Sequence, residues 1–230
     1  TLPLQCGATY HMLVRATNCA GLQHVVASNA TKLCCTAPVQ GRVEVVDGAG
    51  SAVRYVSNTS AVTVLWSGFS DACSGLRSYT VQLRSESGGA VLWESSGVDV
   101  GEAEMALPEA ALLGVSHGAA YVAVVSATSH SGRSTEASAR LVADLTPPDL
   151  LVVRDGPMEY DAGCARADQP LPCAWMGASD ADSGLMQVEW ALGSAPLQSD
   201  LSPFTVGRTA SASTGSVLLP NATAAGLERA

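Results

Sequence analysis

Two short stretches hold side chains that could do chemistry. The first runs Trp66-Ser-Gly-Phe-Ser-Asp71-Ala-Cys-Ser74-Gly75-Leu76, and the second runs Trp175-Met-Gly-Ala-Ser-Asp180-Ala-Asp-Ser183-Gly184-Leu185, 109 residues later. An Asp-x-x-Ser-Gly loop could contribute oxygen ligands to a calcium ion, which wants six to eight of them. The first copy offers one carboxylate and the second adds Asp182, which is thin for such a cage. The other reading is a turn: Asp71, Ser74, Asp180 and Ser183 accept backbone N–H bonds, and Gly75 and Gly184 take a positive φ before the next strand. The turn is the expectation, and no cofactor or metal is assigned. Trp66 and Trp175 could be exposed aromatics for a sugar or a partner. Val62, Val64 and Trp66 alternate, however, as on one face of a strand, so both Trp are expected in cores.

The remaining reactive residues do not form an enzyme's constellation. His11, His24, His117 and His130 lack metal-ligand spacing, and there is no nucleophile elbow, phosphate loop or His-Glu-x-x-His. The expectation is a protein that is not an enzyme. Seven cysteines (Cys6, Cys19, Cys34, Cys35, Cys73, Cys164, Cys173) include no Cys-x-x-Cys. Three of the four Asn head glycosylation sequons, at Asn29, Asn58 and Asn221. Scattered Cys together with sequons point to an oxidising, extracellular or cell-surface setting. A turn near Ala20-Gly21 would pair residues whose numbers sum to about 41 or 42, which puts Cys6 opposite Cys34 or Cys35. Cys164 and Cys173 are expected to close a local loop, and Cys19 to bond a cysteine upstream or in another chain.

The elements that must position these residues are strands. The net charge of −9 disfavours phosphate backbones and anionic lipid, so nucleic acid and direct membrane insertion are not expected. No apolar run reaches the roughly 18 residues that cross a bilayer. There is no Ile, so the core must come from Val, Leu and Ala. Alternation predicts strands near 41–47, 60–67, 76–84, 90–95, 102–107, 119–128 and 134–143, with a tight turn at Ser87-Gly-Gly89. Residues 118–132, around Tyr121, repeat residues 7–21, around Tyr10. The period of about 110 residues is that of one sandwich domain. The expected division is 1–37 as the last two strands of a preceding sandwich, 38–147 as a complete domain, and 148–230 as the first five strands of a following one. On this reading the chain is an internal piece of something longer.

These residues resemble the fibronectin type III family in tandem. Trp66 and Trp175 match its second-strand core Trp, and Tyr10 and Tyr121 match its tyrosine-corner residue. The resemblance implies an all-β fold of seven-stranded Greek-key β-sandwiches, fibronectin type III or immunoglobulin-like. In that fold the loop after the second strand lies at the N-terminal end of its domain, so Cys73 would face the preceding one. Cys6, Cys34, Cys35 and Cys73 are thus expected to make two disulfides, one of them joining the domains. The Asp-x-x-Ser-Gly-Leu motif is similar to that of a subgroup found in large cell-surface and flagellar-surface glycoproteins of mastigoneme type. The implied role is a non-catalytic, disulfide-braced rod or fibre segment, held by other domains of its own chain and by homo- or hetero-assembly with extracellular proteins. The alternatives are an adhesion or receptor ectodomain that binds a protein or glycan, and a spacer in a secreted carbohydrate-active enzyme.

Overall fold

In the computed structural model, residues 2–149, 152–154, 161, 163–164, 171–209 and 214–219 are described. The chain forms two compact units, Thr1–Leu145 and Thr146–Ala230.

The first unit opens with four short strands. They are β1 (Thr9–Tyr10), β2 (Leu13–Thr17), β3 (Gln23–Ala27) and β4 (Thr31–Lys32). β2 and β3 form an antiparallel hairpin in which Val14 faces Val26, and β1 pairs with β4. Every residue of β2 and β3 is exposed.

A β-sandwich follows in the same unit. Its strands are β5 (Arg42–Asp47), β6 (Tyr55–Val56), β7 (Val62–Ser67), β8 (Leu76–Ser85), β9 (Val91–Val98), β10 (Glu104–Ala106), β11 (Ala120–Ser129) and β12 (Ser134–Ala143). One sheet has the order β10-β7-β5 and the other β6-β12-β11-β8-β9. The core is built by alternation, because successive side chains of a strand point to opposite faces. Val62, Val64 and Trp66 from one sheet meet Tyr79, Val81, Leu83, Ala123, Val125, Ala127 and Leu141 from the other. Four-residue helix α1 (Glu109–Leu112) seals one edge with Ala111 and Leu112. Sequence alternation did not anticipate β6, which pairs in parallel with the end of β12 after the chain leaves β5. A two-residue strand is too short to show a period, and only its partner makes it a strand.

The second unit has a sheet of β13 (Val152–Arg154), β14 (Leu171–Met176) and β17 (Thr214–Leu219) in the order β13-β14-β17. A second sheet holds β15 (Gln187–Leu192) and β16 (Ser202–Thr209). These orders repeat β5-β7-β10 and β8-β9 of the first unit. Trp66 and Trp175 are both buried, at 4% and 5% exposure.

Candidate functional site

The Asp71 turn is built by one carboxylate oxygen. Asp71 Oδ1 accepts N–H bonds from Cys73 (2.9 Å), Ser74 (2.6 Å) and Gly75 (3.2 Å). Gly75 has φ +74°, where a side chain would strain the backbone. Upstream, the backbone of Val39 pairs with that of Ser70. Ser74 Oγ accepts the N–H of Ser131, and Gly75 O accepts that of His130, so the turn is tied to the β11–β12 connection. The second copy repeats the geometry. Asp180 Oδ1 accepts from Asp182 (3.1 Å), Ser183 (2.7 Å) and Gly184 (2.9 Å), and Gly184 has φ +79°. Three N–H groups converge on one carboxylate oxygen, so in both copies the arrangement is a capped turn. The Ser74–Ser131 tie was not legible in the sequence, since its partners lie 57 residues apart.

The Ser74 N–H, followed by those of Cys73 and Gly75, holds the Asp71 carboxyl below the usual carboxylate range. A depressed acid stabilises the fold above its ordinary pKa and loses that contribution as pH falls through the lowered value. Wild-type protein should therefore lose stability on acidification below about pH 4 more steeply than Asp71→Asn, in which that position no longer titrates. Denaturant midpoints at a series of pH values check this.

Four cysteines meet beside this turn. Cys6 bonds Cys35 and Cys34 bonds Cys73, with Cα separations of 5.6 and 5.8 Å. The second bridge ties the N-terminal hairpin segment to the sandwich, and it lands on a residue whose own N–H is held by Asp71. Cys164 and Cys173 do not form the expected local bridge. Cys164 is exposed, while Cys173 lies on β14 opposite Val217. β14 is hydrogen-bonded on both edges, by β13 and β17. Cys19 is an exposed thiol in the β2–β3 turn. Asn29 and Asn58 are exposed; Asn221 lies outside the described residues.

Both tyrosines make the same contact. Tyr121 Oη accepts the N–H of Ser116 and Tyr10 Oη that of Gln5, each at 2.7 Å from a residue five positions back. Tyr121 is buried, so Tyr121→Phe leaves the Ser116 N–H without its partner. Chemical denaturation should register a loss of about 1–2 kcal/mol. Two histidines make polar contacts with the backbone. His117 Nδ1 accepts the Leu145 N–H at 3.2 Å and lies 3.7 Å from Asp144, and His11 Nδ1 is 3.1 Å from the Ser28 carbonyl.

No protein-family model matches the chain, and no curated protein is significantly similar to it. Among solved structures, one similar chain belongs to a 1.5-MDa bacterial ice-binding adhesin studied for host cell surface retention. It is 13% identical with a TM-score of 0.33, over 80% of this chain and 55% of that one. Another is a Ca2+-stabilised adhesin with which an Antarctic bacterium binds ice. It is 16% identical with a TM-score of 0.33, over 79% of this chain and 42% of that one. This chain thus spans about half the length of the solved chains it matches. Likeness at this level fixes neither fold family nor function.

Proposed function

We propose that the chain is a non-catalytic, load-bearing segment of a large secreted or cell-surface glycoprotein, built from tandem fibronectin type III-like sandwiches. The strand orders β10-β7-β5 and β6-β12-β11-β8-β9, together with the two tyrosine contacts, support that family reading. Two disulfides and exposed sequons at Asn29 and Asn58 support an oxidising, extracellular setting.

The observation that carries the proposal is the placement of the bridges. Cys34 and Cys35 are adjacent, so Cys6–Cys35 and Cys34–Cys73 lie in series along the chain. Tension entering at the N-terminus passes from Cys6 to Cys35, across one peptide bond to Cys34, and on to Cys73. Residues 7–33 and 36–72 are excluded from the loaded path. A covalent shortcut of this kind keeps the hairpin segment and strands β5, β6 and β7 from being drawn out under load.

Single-molecule pulling from the two termini tests this. Without reductant, full extension should fall short of the reduced protein by about 200 Å, the length of the excluded residues at 3.3–3.6 Å each. Equal extension with and without reductant would overturn the proposal.

A further inference from the structure

The asparagines divide by what their side chains do. Asn18 does not head a sequon. Its Oδ1 accepts the N–H of Ala20 (3.0 Å) and of Leu22 (2.9 Å), so its amide builds the β2–β3 turn. Asn29 and Asn58 do head sequons, and among the described residues neither side chain makes a hydrogen bond. Both residues are exposed.

Asn58 sits in the turn between β6 and β7. An Asn in a turn commonly ties it with its own side chain. Here hydroxyls take that part. Ser57 N–H donates to Ser60 Oγ at 2.8 Å, and Thr59 N–H donates to Ser57 Oγ at 3.3 Å. The Ser60 N–H closes the turn on the Ser57 carbonyl at 3.3 Å. The Asn58 amide is left with no structural task, so a group added to it costs the fold no hydrogen bond.

The turn lies beside the place where the chain leaves the sandwich. β6 runs parallel to the end of β12, with Tyr55 beside Val142 and Val56 beside Ala143. Val56 O accepts the Asp144 N–H at 2.9 Å. Asn58 is two residues past Val56, which is at most about 7 Å of chain. Leu145 follows Asp144 directly and is 38% exposed. Residues 145–148 are all exposed and hold no regular structure. Tyr55, at 41% exposure, stands on the same edge. Accessible, irregular backbone of this kind is where proteases cut.

We propose that Asn58 is an N-glycosylation site whose glycan guards the chain where it leaves the sandwich. The sugar comes from a polyprenyl-diphosphate-linked oligosaccharide. A bond forms between Asn58 Nδ2 and the anomeric carbon, the bond from that carbon to the diphosphate oxygen breaks, and the amide gives one proton to the released diphosphate. The product is a bulky, hydrated group at the surface. It covers Tyr55 and Leu145 and keeps a protease from seating residues 145–148 in its cleft. The inference rests on the secreted-glycoprotein reading and is independent of the load path, which only the pulling experiment addresses.

The test is expression of the whole chain through a eukaryotic secretory pathway, followed by glycopeptide mass spectrometry and timed digestion with subtilisin. Asn58 should carry a glycan. Asn58→Gln should be cut within residues 145–148 severalfold faster than the glycosylated wild type. Its thermal midpoint should equal that of enzymatically deglycosylated wild type, because the amide bonds to nothing. Deglycosylated wild type should also be cut as fast as Asn58→Gln, an arm that needs no variant. Asn29→Gln removes a glycan from the β3–β4 connection and should leave cutting at 145–148 unchanged. Asn58→Gln cut no faster than wild type, or Asn29→Gln with the same acceleration, would overturn the guarding role. If Asn29 alone is modified, the Asn58 site falls and the glycoprotein reading stands. If both emerge bare, the two fall together.

Discussion

Trp66→Ala should cost the first unit about 3–5 kcal/mol and lower its thermal midpoint by roughly 10–15 °C. Trp66 sits at the end of the buried face of β7, opposite Val43 on β5. Its ring meets Tyr79 edge-to-face at 5.5 Å and 62°, and Tyr79 in turn meets Phe69 at 5.7 Å and 60°. Truncation therefore removes the aromatic link between the two sheets as well as its own buried area. The core has few other large side chains to close the gap, because it is built mainly of Val, Ala and Leu. Trp66→Phe discriminates packing from polarity. The Trp66 Nε1–H is buried without an acceptor, so Phe removes an unsatisfied donor while keeping a ring. It should cost much less than Ala, and thermal melts of the two variants side by side check the ordering.

The paired substitution Cys34→Ser/Cys73→Ser should destabilise the sandwich by about 3–4 kcal/mol, the loop-closure contribution for a span of this length. The 39-residue separation encloses β5, β6 and β7, so the bridge restricts unfolded chain that belongs to the core. The full effect depends on the ends staying close in the folded state without the bond. They do, because the Val39 N–H bonds the Ser70 carbonyl at 2.7 Å, five residues after Cys34 and three before Cys73. The Cys6–Cys35 bridge closes a 29-residue loop within the hairpin segment, and Cys6→Ser/Cys35→Ser opens only that loop. It should leave the sandwich midpoint nearly unchanged. Replacing cysteines in pairs avoids a stray thiol, and calorimetry of both pairs separates the two roles.

The strands of the sandwich were legible because alternation is a short-range signal. Val62, Val64 and Trp66 announce a half-buried strand wherever they fall, and β7 spans Val62–Ser67. The capped turns were legible for the same reason, since Asp71 and Asp180 reach donors only two to four residues on. What lay outside the sequence depended on segments distant along the chain. β6 is a strand only because β12 passes beside it. Local counting set Cys6 opposite Cys34 or Cys35 and could not choose between them.

From sequence alone came the β character, the period of about 110 residues, the Trp cores and the Asp turns, all consequences of hydrogen bonds and side-chain alternation within a few residues. The tertiary structure decided that Cys35 takes Cys6 while Cys34 takes Cys73, and that β6 becomes a strand beside β12. A covalent bridge or a buried face needs two surfaces to meet in space, and no local pattern records which surfaces those are.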